Sequence, residues 1–130
     1  MIDTSILINY FKGATNPKTK KFEEILKNGT PFGINNFIYQ EVLQGASDEK
    51  EFNLLNRYLS SQKFYELHYG TMSYENAAKM YYLCRKKGIT PRSTIDLLII
   101  ETAIENNLFL LHDDKDYTKI ASIIKDLKEY

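Results

Sequence analysis

Apolar side chains recur every three or four positions through most of this chain, and brief apolar runs interrupt that rhythm at intervals. The helical period predicts helices over residues 4–12, ended by Gly13 and the Asn16-Pro17 break, and over 17–27, closed by Asn28-Gly29. Further helices are expected over 36–46 and 49–60, the second capped by Ser47-Asp48 with Phe52, Leu54, Leu55, Tyr58 and Leu59 as its apolar face. Three more follow, over 73–87 ended by Gly88, over 93–106, and over 116–124. Between them, residues 31–34, 64–67 and 107–111 read as strands, Met1-Ile2 as a very short first strand, and the last residues as an edge strand. Strands separated by helices of roughly ten residues or more argue for a parallel α/β sheet with right-handed connections.

Composition narrows this picture without changing it. At 130 residues, 43% hydrophobic and 26% charged, the chain is one domain with a single core, neither disordered nor collagen-like. Seventeen basic and seventeen acidic residues give a formal net charge of zero, so any grip on nucleic acid must come from local patches or a metal. The lone Cys84 excludes an internal disulfide or a cysteine-rich zinc site, and its place among Met80, Tyr81, Tyr82 and Leu83 reads as helix packing. A reducing, cytoplasmic setting follows, and no apolar stretch approaches membrane-spanning length. The ten tyrosines are read by default as core residues with the hydroxyl at the rim, and more sharply, for Tyr58, Tyr74, Tyr81 and Tyr82, as an interaction surface.

Four acids then claim the chemistry. Asp3 reads as an N-cap or a strand end; Glu41 lies beside the apolar stripe of Phe37, Ile38, Val42 and Leu43; Asp96 precedes Leu97-Leu98-Ile99-Ile100 and completes a Ser93-x-x-Asp96 capping box; Asp114 follows Leu108-Phe109-Leu110-Leu111 in an acidic turn. Each has a structural explanation alone. Three of them, however, fall at the carboxyl ends of predicted strands or the helix starts beside them, and that edge of an open α/β sheet is where ligands bind. No glycine-rich phosphate loop, His-Glu-x-x-His zinc motif or Gly-x-Ser-x-Gly turn occurs; His68 is read as a surface residue, and His112, bordering the acidic turn, as an exposed strand end, with a substrate contact or support of a metal ligand as the alternative. An all-oxygen site remains, suited to hard cations such as Mg²⁺ or Mn²⁺. Two carboxylates about 4 Å apart repel by roughly 4 kcal/mol at an effective dielectric of about 20, so the group needs a cation or a proton.

Met1-Ile2-Asp3-Thr4-Ser5-Ile6-Leu7-Ile8 resembles the opening of PIN-domain ribonucleases, and Tyr39-Gln40-Glu41-Val42-Leu43-Gln44-Gly45-Ala46 resembles their second acidic motif. Residues 88–99 resemble the third, and Leu110-Leu111-His112-Asp113-Asp114-Lys115-Asp116-Tyr117 the fourth, in order and at the spacing of the small members called VapC toxins. The resemblance implies a PIN-like three-layer α/β/α sandwich with a central parallel sheet of four to five strands. It also implies a Mg²⁺- or Mn²⁺-dependent endoribonuclease, the toxin half of a toxin-antitoxin pair, in which a metal-activated water attacks an RNA phosphodiester while a carboxylate takes the proton. Asp3, Glu41, Asp96 and Asp114 would be catalytic; Asp3, Asp96 and Asp114 would hold metal with Asp116 as a further ligand. Thr4 or Ser5 would place a hydroxyl near the ion, Thr94 would orient Asp96, and Arg92 is a candidate phosphate contact or an ordinary surface arginine. The partners implied are RNA, a VapB-like antitoxin whose tail covers the acids, and a second copy in a homodimer. Two departures stand out: the first strand is shorter than the family's, and Asp113 adds negative charge before the fourth acid. Lys18, Lys20, Lys21, Arg85, Lys86 and Lys87 are the basic groups available to offset it. A nuclease outside toxin-antitoxin systems and a silent metal-binding module are the alternatives.

Overall fold

Two apolar residues ahead of Asp3 prove enough to anchor the chain's start. In the computed structural model, which describes residues 1–130, Met1, Ile2 and Asp3 are all buried. Ile2 N–H donates to Gly33 O at 3.0 Å on one side; on the other, Asp3 N–H donates to Leu111 O at 2.9 Å and Leu111 N–H to Met1 O at 3.0 Å. Ile2 and Leu111 thereby form an isolated parallel bridge rather than a regular strand. Flanking this segment, β1 (Gly33–Ile34) pairs in parallel with β2 (Lys63–Phe64), and β3 (Phe109–Leu110) pairs in parallel with β4 (Lys128–Glu129). The strands are thus much shorter than the sequence pattern suggests, and regular pairing is confined to these two small ladders.

The helices follow their caps. These are α1 (Thr4–Phe11), α2 (Pro17–Lys27), α3 (Asn36–Gln44), α4 (Glu49–Leu59), α5 (Thr71–Lys86), α6 (Thr94–Glu105) and α7 (Lys115–Ala121). Asn16 caps α2 through Lys18 N and Thr19 N, with Thr19 returning the bond and Pro17 at the first helical position. Asn35, Asp48 and Ser93 cap α3, α4 and α6. The cap of α6 is Ser93 accepting from Ile95 N, one residue nearer than a capping box would place it. α5 starts earlier than expected, at Thr71 after Gly70, and Ser73 is instead a buried residue whose hydroxyl accepts from Tyr69 N.

α6 explains the core. Leu97, Leu98, Ile99, Ile100 and Ala103 are all buried, so this helix is apolar nearly all round and lies inside the domain, packed on α5, α3 and β3. Cys84 is buried on the facing side of α5, as its neighbours suggested. Gly33 answers a close approach: a Cβ there would lie 2.5 Å from Lys63 O and 2.6 Å from the Tyr65 ring. Two readings change. Tyr74 and Tyr82 are more than half exposed rather than packed in the core, because they occupy the outer face of α5. His112 is buried instead of exposed, because the C-terminal segment returns beside β3 and covers it. No helix is long and apolar enough to cross a membrane.

Candidate active site

The N-terminal segment, α3, α6 and α7 each deliver one acid to the same place. Asp3 caps α1, its Oδ2 accepting from Ser5 N at 3.0 Å and Ser5 Oγ at 2.7 Å. Asp114 caps α7, accepting from Asp116 N at 2.8 Å. Glu41 sits in the middle of α3, where Thr4 Oγ1 donates to its Oε1 at 2.9 Å. Asp96 lies in the first turn of α6. Together with Thr4, Ser5, Ile8, Asn9 and Tyr117 these four carboxylates line a cavity of about 270 Å³. Capping and lining are therefore not alternatives: Asp3 and Asp114 cap helices that begin at the cavity wall.

Burial makes the charge costly. Asp3 is 4% exposed, and burial pushes its carboxyl above the ordinary range despite two hydrogen bonds from Ser5. Asp96 is raised from 3.8 to about 6, first by burial and then by Asp114, Asp3 and Glu41, against the hydrogen bond from Tyr117. Glu41 is also raised, by burial and by Asp3, with the Thr4 bond opposing. Three acids that resist ionisation around one cavity describe a site short of positive charge.

Tyr117 is the member that sequence reasoning missed. It is 1% exposed, and its hydroxyl lies 3.2 Å from Asp3 Oδ1 and 3.2 Å from Asp96 Oδ1, bridging the two. A phenol has one hydrogen to donate, so it serves one carboxylate at a time. Burial and the two acids push its own ionisation well above the usual phenol range, so it acts as a neutral donor. Its only sequence signal is the i+3 spacing from Asp114 on a short helix. Asn9 was missed as well; it is one turn beyond Ser5 on α1 and carries an amide into the cavity. Behind Tyr117, the His112 ring packs edge-on at 5.1 Å. His112 Nδ1 accepts from Asp114 N at 3.1 Å, which assigns the proton to Nε2, donated to Glu129 Oε2 at 2.8 Å.

Not every candidate converges. Thr94 is exposed, makes no hydrogen bond to Asp96 and lines a separate apolar groove with Tyr74, Ala77, Tyr81, Leu97 and Leu98. Arg92 and Asp116 lie outside the cavity lining and are paired with each other, Arg92 Nε donating to Asp116 Oδ2 at 2.5 Å and Nη2 to both oxygens of Asp114 at 3.1 Å. Asp113 is exposed, with its N–H donating to Ser5 Oγ at 3.0 Å. The clusters at Lys18 to Lys21 and Arg85 to Lys87 do not line the cavity.

The donor set fits a hard divalent cation. No three acidic, histidine or cysteine side chains converge tightly enough to enclose an ion by themselves. Mg²⁺ asks for less than that, because it keeps several waters and typically uses one or two carboxylates. The lining offers only oxygen and amide donors, three of its acids, Asp3, Glu41 and Asp96, have no cationic partner, and no thiolate or free imidazole favours zinc.

Comparisons with known proteins identify the family and the fold. The family profile described as "PIN domain" matches residues 1–123. The VapC ribonuclease Mb1587 of Mycobacterium bovis and the ribonuclease VapC11 of Mycobacterium tuberculosis are each 27% identical over 124 residues, covering 95% of this chain and 92% of the relative. Among solved structures, VapBC2 from Rickettsia felis bound to a DNA fragment from its promoter superposes with a TM-score of 0.74 at 19% identity, covering 100% of this chain and 96% of that one. That likeness is one of fold.

Proposed function

Because the chain belongs to the PIN-domain family, we propose that its acidic cavity cleaves RNA phosphodiester bonds with Mg²⁺ or Mn²⁺, as the toxin of a VapBC-type pair in the cytoplasm. The observation that carries this reading is the convergence of Asp3, Glu41, Asp96 and Asp114 on one cavity from four separated stretches of sequence. The names of the mycobacterial relatives, ribonucleases of the VapC type, support the substrate class. A single parallel sheet in a three-layer sandwich is part of the same reading; the hydrogen bonds from Ile2 to Gly33 in β1 and from Asp3 to Leu111, next to β3, support it.

Asp3, Asp96 and Asp114 would hold the ion, with Thr4 and Ser5 setting the orientation of the acids they touch. Bound there, the ion supplies charge to offset the phosphodiester and lowers the pKa of an attacking water. Thr4 fixes the rotamer of Glu41 from across the cavity, leaving Glu41 the acid best placed to accept a proton. Tyr117 offers its one O–H to Asp3 or to Asp96, satisfying one of the two buried carboxyls at a time.

A VapB-like antitoxin fits the neighbouring surface. A groove of about 660 Å³ lined by Ile8, Phe11, Val42, Leu54 and Leu55 shares Ile8 with the acidic cavity, so an amphipathic segment could lie in it with a basic residue reaching the acids. The Tyr74, Ala77, Tyr81 and Leu98 groove on α5 and α6 is the surface we assign to homodimer contact. Expression in growing cells tests the reading. Wild type should arrest growth and leave new RNA ends within minutes, and Asp96→Asn should do neither; a wild type as harmless as that variant would remove the toxin assignment.

A further inference from the structure

Among all the lysines and arginines of this chain, Arg92 alone forms ion pairs with acids. Its two partners are Asp114, which lines the cavity, and Asp116, which does not. The guanidinium side chain is 70% exposed, against 21% for Asp114 and 19% for Asp116. Its position is built from both sides: the buried Pro91 precedes it, and Ser93, the cap of α6, follows. Asp116 is equally constrained, since its N–H is held by Asp114 in the first turn of α7 while its carboxylate turns outward to Nε.

The two-point hold uses Nε and Nη2, and Nη1 makes no hydrogen bond within the chain. A guanidinium presents its donors in one plane, so anchoring one edge directs the other outward. Here the free edge stands at the lip of a cavity walled by four carboxylates, which by themselves repel a polyanion. An exposed arginine ordinarily loses rotamer freedom when it binds a phosphate, and an anchor that restricts it beforehand reduces that loss.

We propose that Asp116 is a positioning residue for Arg92 rather than a ligand of the ion, and that the pair holds a guanidinium at the cavity lip to bind an RNA phosphate beside the one cleaved. The assignment rests on the nuclease reading above and deepens it. It divides the fourth acidic stretch by role: Asp114 faces the cavity, and Asp116 serves the arginine.

The test measures Mn²⁺ binding without RNA and steady-state cleavage of a short single-stranded RNA, for wild type, Asp114→Asn, Asp116→Asn, Arg92→Gln and Arg92→Lys. Asp114→Asn should weaken Mn²⁺ about tenfold or more, whereas Asp116→Asn should stay within about twofold of wild type. Asp116→Asn and Arg92→Gln should each raise KM for RNA by about tenfold with kcat nearly unchanged, and the double variant should be no worse than Arg92→Gln. Arg92→Gln should also reduce the slope of log affinity against log salt by about 0.7, the single-strand value for one phosphate contact, while Arg92→Lys keeps the slope and loses KM. Asp116→Asn weakening Mn²⁺ as much as Asp114→Asn overturns the assignment and makes Asp116 a ligand. A wild type that binds Mn²⁺ but neither binds nor cuts RNA overturns instead the nuclease reading beneath it, so the two failures are distinct.

Discussion

Tyr117→Phe removes one oxygen atom from the most buried part of the acidic cavity and leaves the ring that packs against His112. No void opens beyond the hydroxyl itself, so the change isolates the bridge to Asp3 and Asp96. Hydrogen bonds to charged groups contribute about 1.5–3 kcal/mol, and stripping a donor from buried acceptors tends to cost more than the bond contributed. Asp3 keeps Ser5 on its other oxygen, and both Tyr117 contacts are long at 3.2 Å, which argues for the lower half of that range. With an unfolding entropy of about 2.1 cal/mol/K per residue over 130 residues, the loss corresponds to a Tm about 5 to 8 °C lower. The assay is thermal unfolding in EDTA at pH 8 and pH 5. At pH 8 Asp96, which titrates at about 6, is ionised and the full loss is expected; at pH 5 it is largely protonated, and the loss should shrink. A variant as stable as wild type at pH 8 would refute the claim that the phenol O–H stabilises the buried carboxylates it faces.

Four further outcomes can be measured. Asp96 rises from 3.8 to about 6 on folding, so its contribution favours the fold below the unfolded value and is lost as pH climbs through about 6; metal-free protein should therefore lose stability across that window. Mg²⁺ at a hundred times its Kd should add about 2.7 kcal/mol, near 10 °C here, with a larger rise at pH 8 than at pH 5; an equal rise at both would show that the acids are not its ligands. Glu101, far from the cavity, is raised from 4.5 to about 7 by burial and by Glu105 one turn on, so the sign is the same, and Glu101→Gln should flatten the decline of Tm between pH 5 and pH 8. An unchanged pH profile in denaturant or thermal melts would count against it. Gly33→Ala drives a methyl into Lys63 O and the Tyr65 ring, and should cost about 1–3 kcal/mol or more in urea titration, where a neutral result would mean that β1 and β2 separate easily.

Local chemistry made the helices legible, since Asn16-Pro17, Asp48 and Ser93 announce their own starts and the apolar period carries the rest. Strand extent was not legible, because ladders two residues long depend on partners nineteen or thirty residues away, and an apolar run such as Leu108 to Leu111 reads the same whether it pairs at two positions or five. The acids were visible for a related reason: each sits where a helix begins or inside an apolar stripe, and a carboxylate there needs an explanation. What the chain order could not show was that Asp3 and Asp114 cap their helices and still line one cavity. Tyr117 stayed hidden because a tyrosine on the buried face of a short helix looks like packing until its hydroxyl is located. His112 was misplaced because its burial is imposed by the C-terminal return, a contact seventeen residues further along.

The central claim is that these four acids cut RNA by means of a divalent cation, and purified protein tests it most directly. Incubated with total RNA, wild type should cleave in Mn²⁺ or Mg²⁺, stop on addition of EDTA, and leave 5′-phosphate ends, while Asp96→Asn should leave the RNA intact under the same conditions. Cleavage that survives EDTA, or an Asp96→Asn variant as active as wild type, would contradict the account.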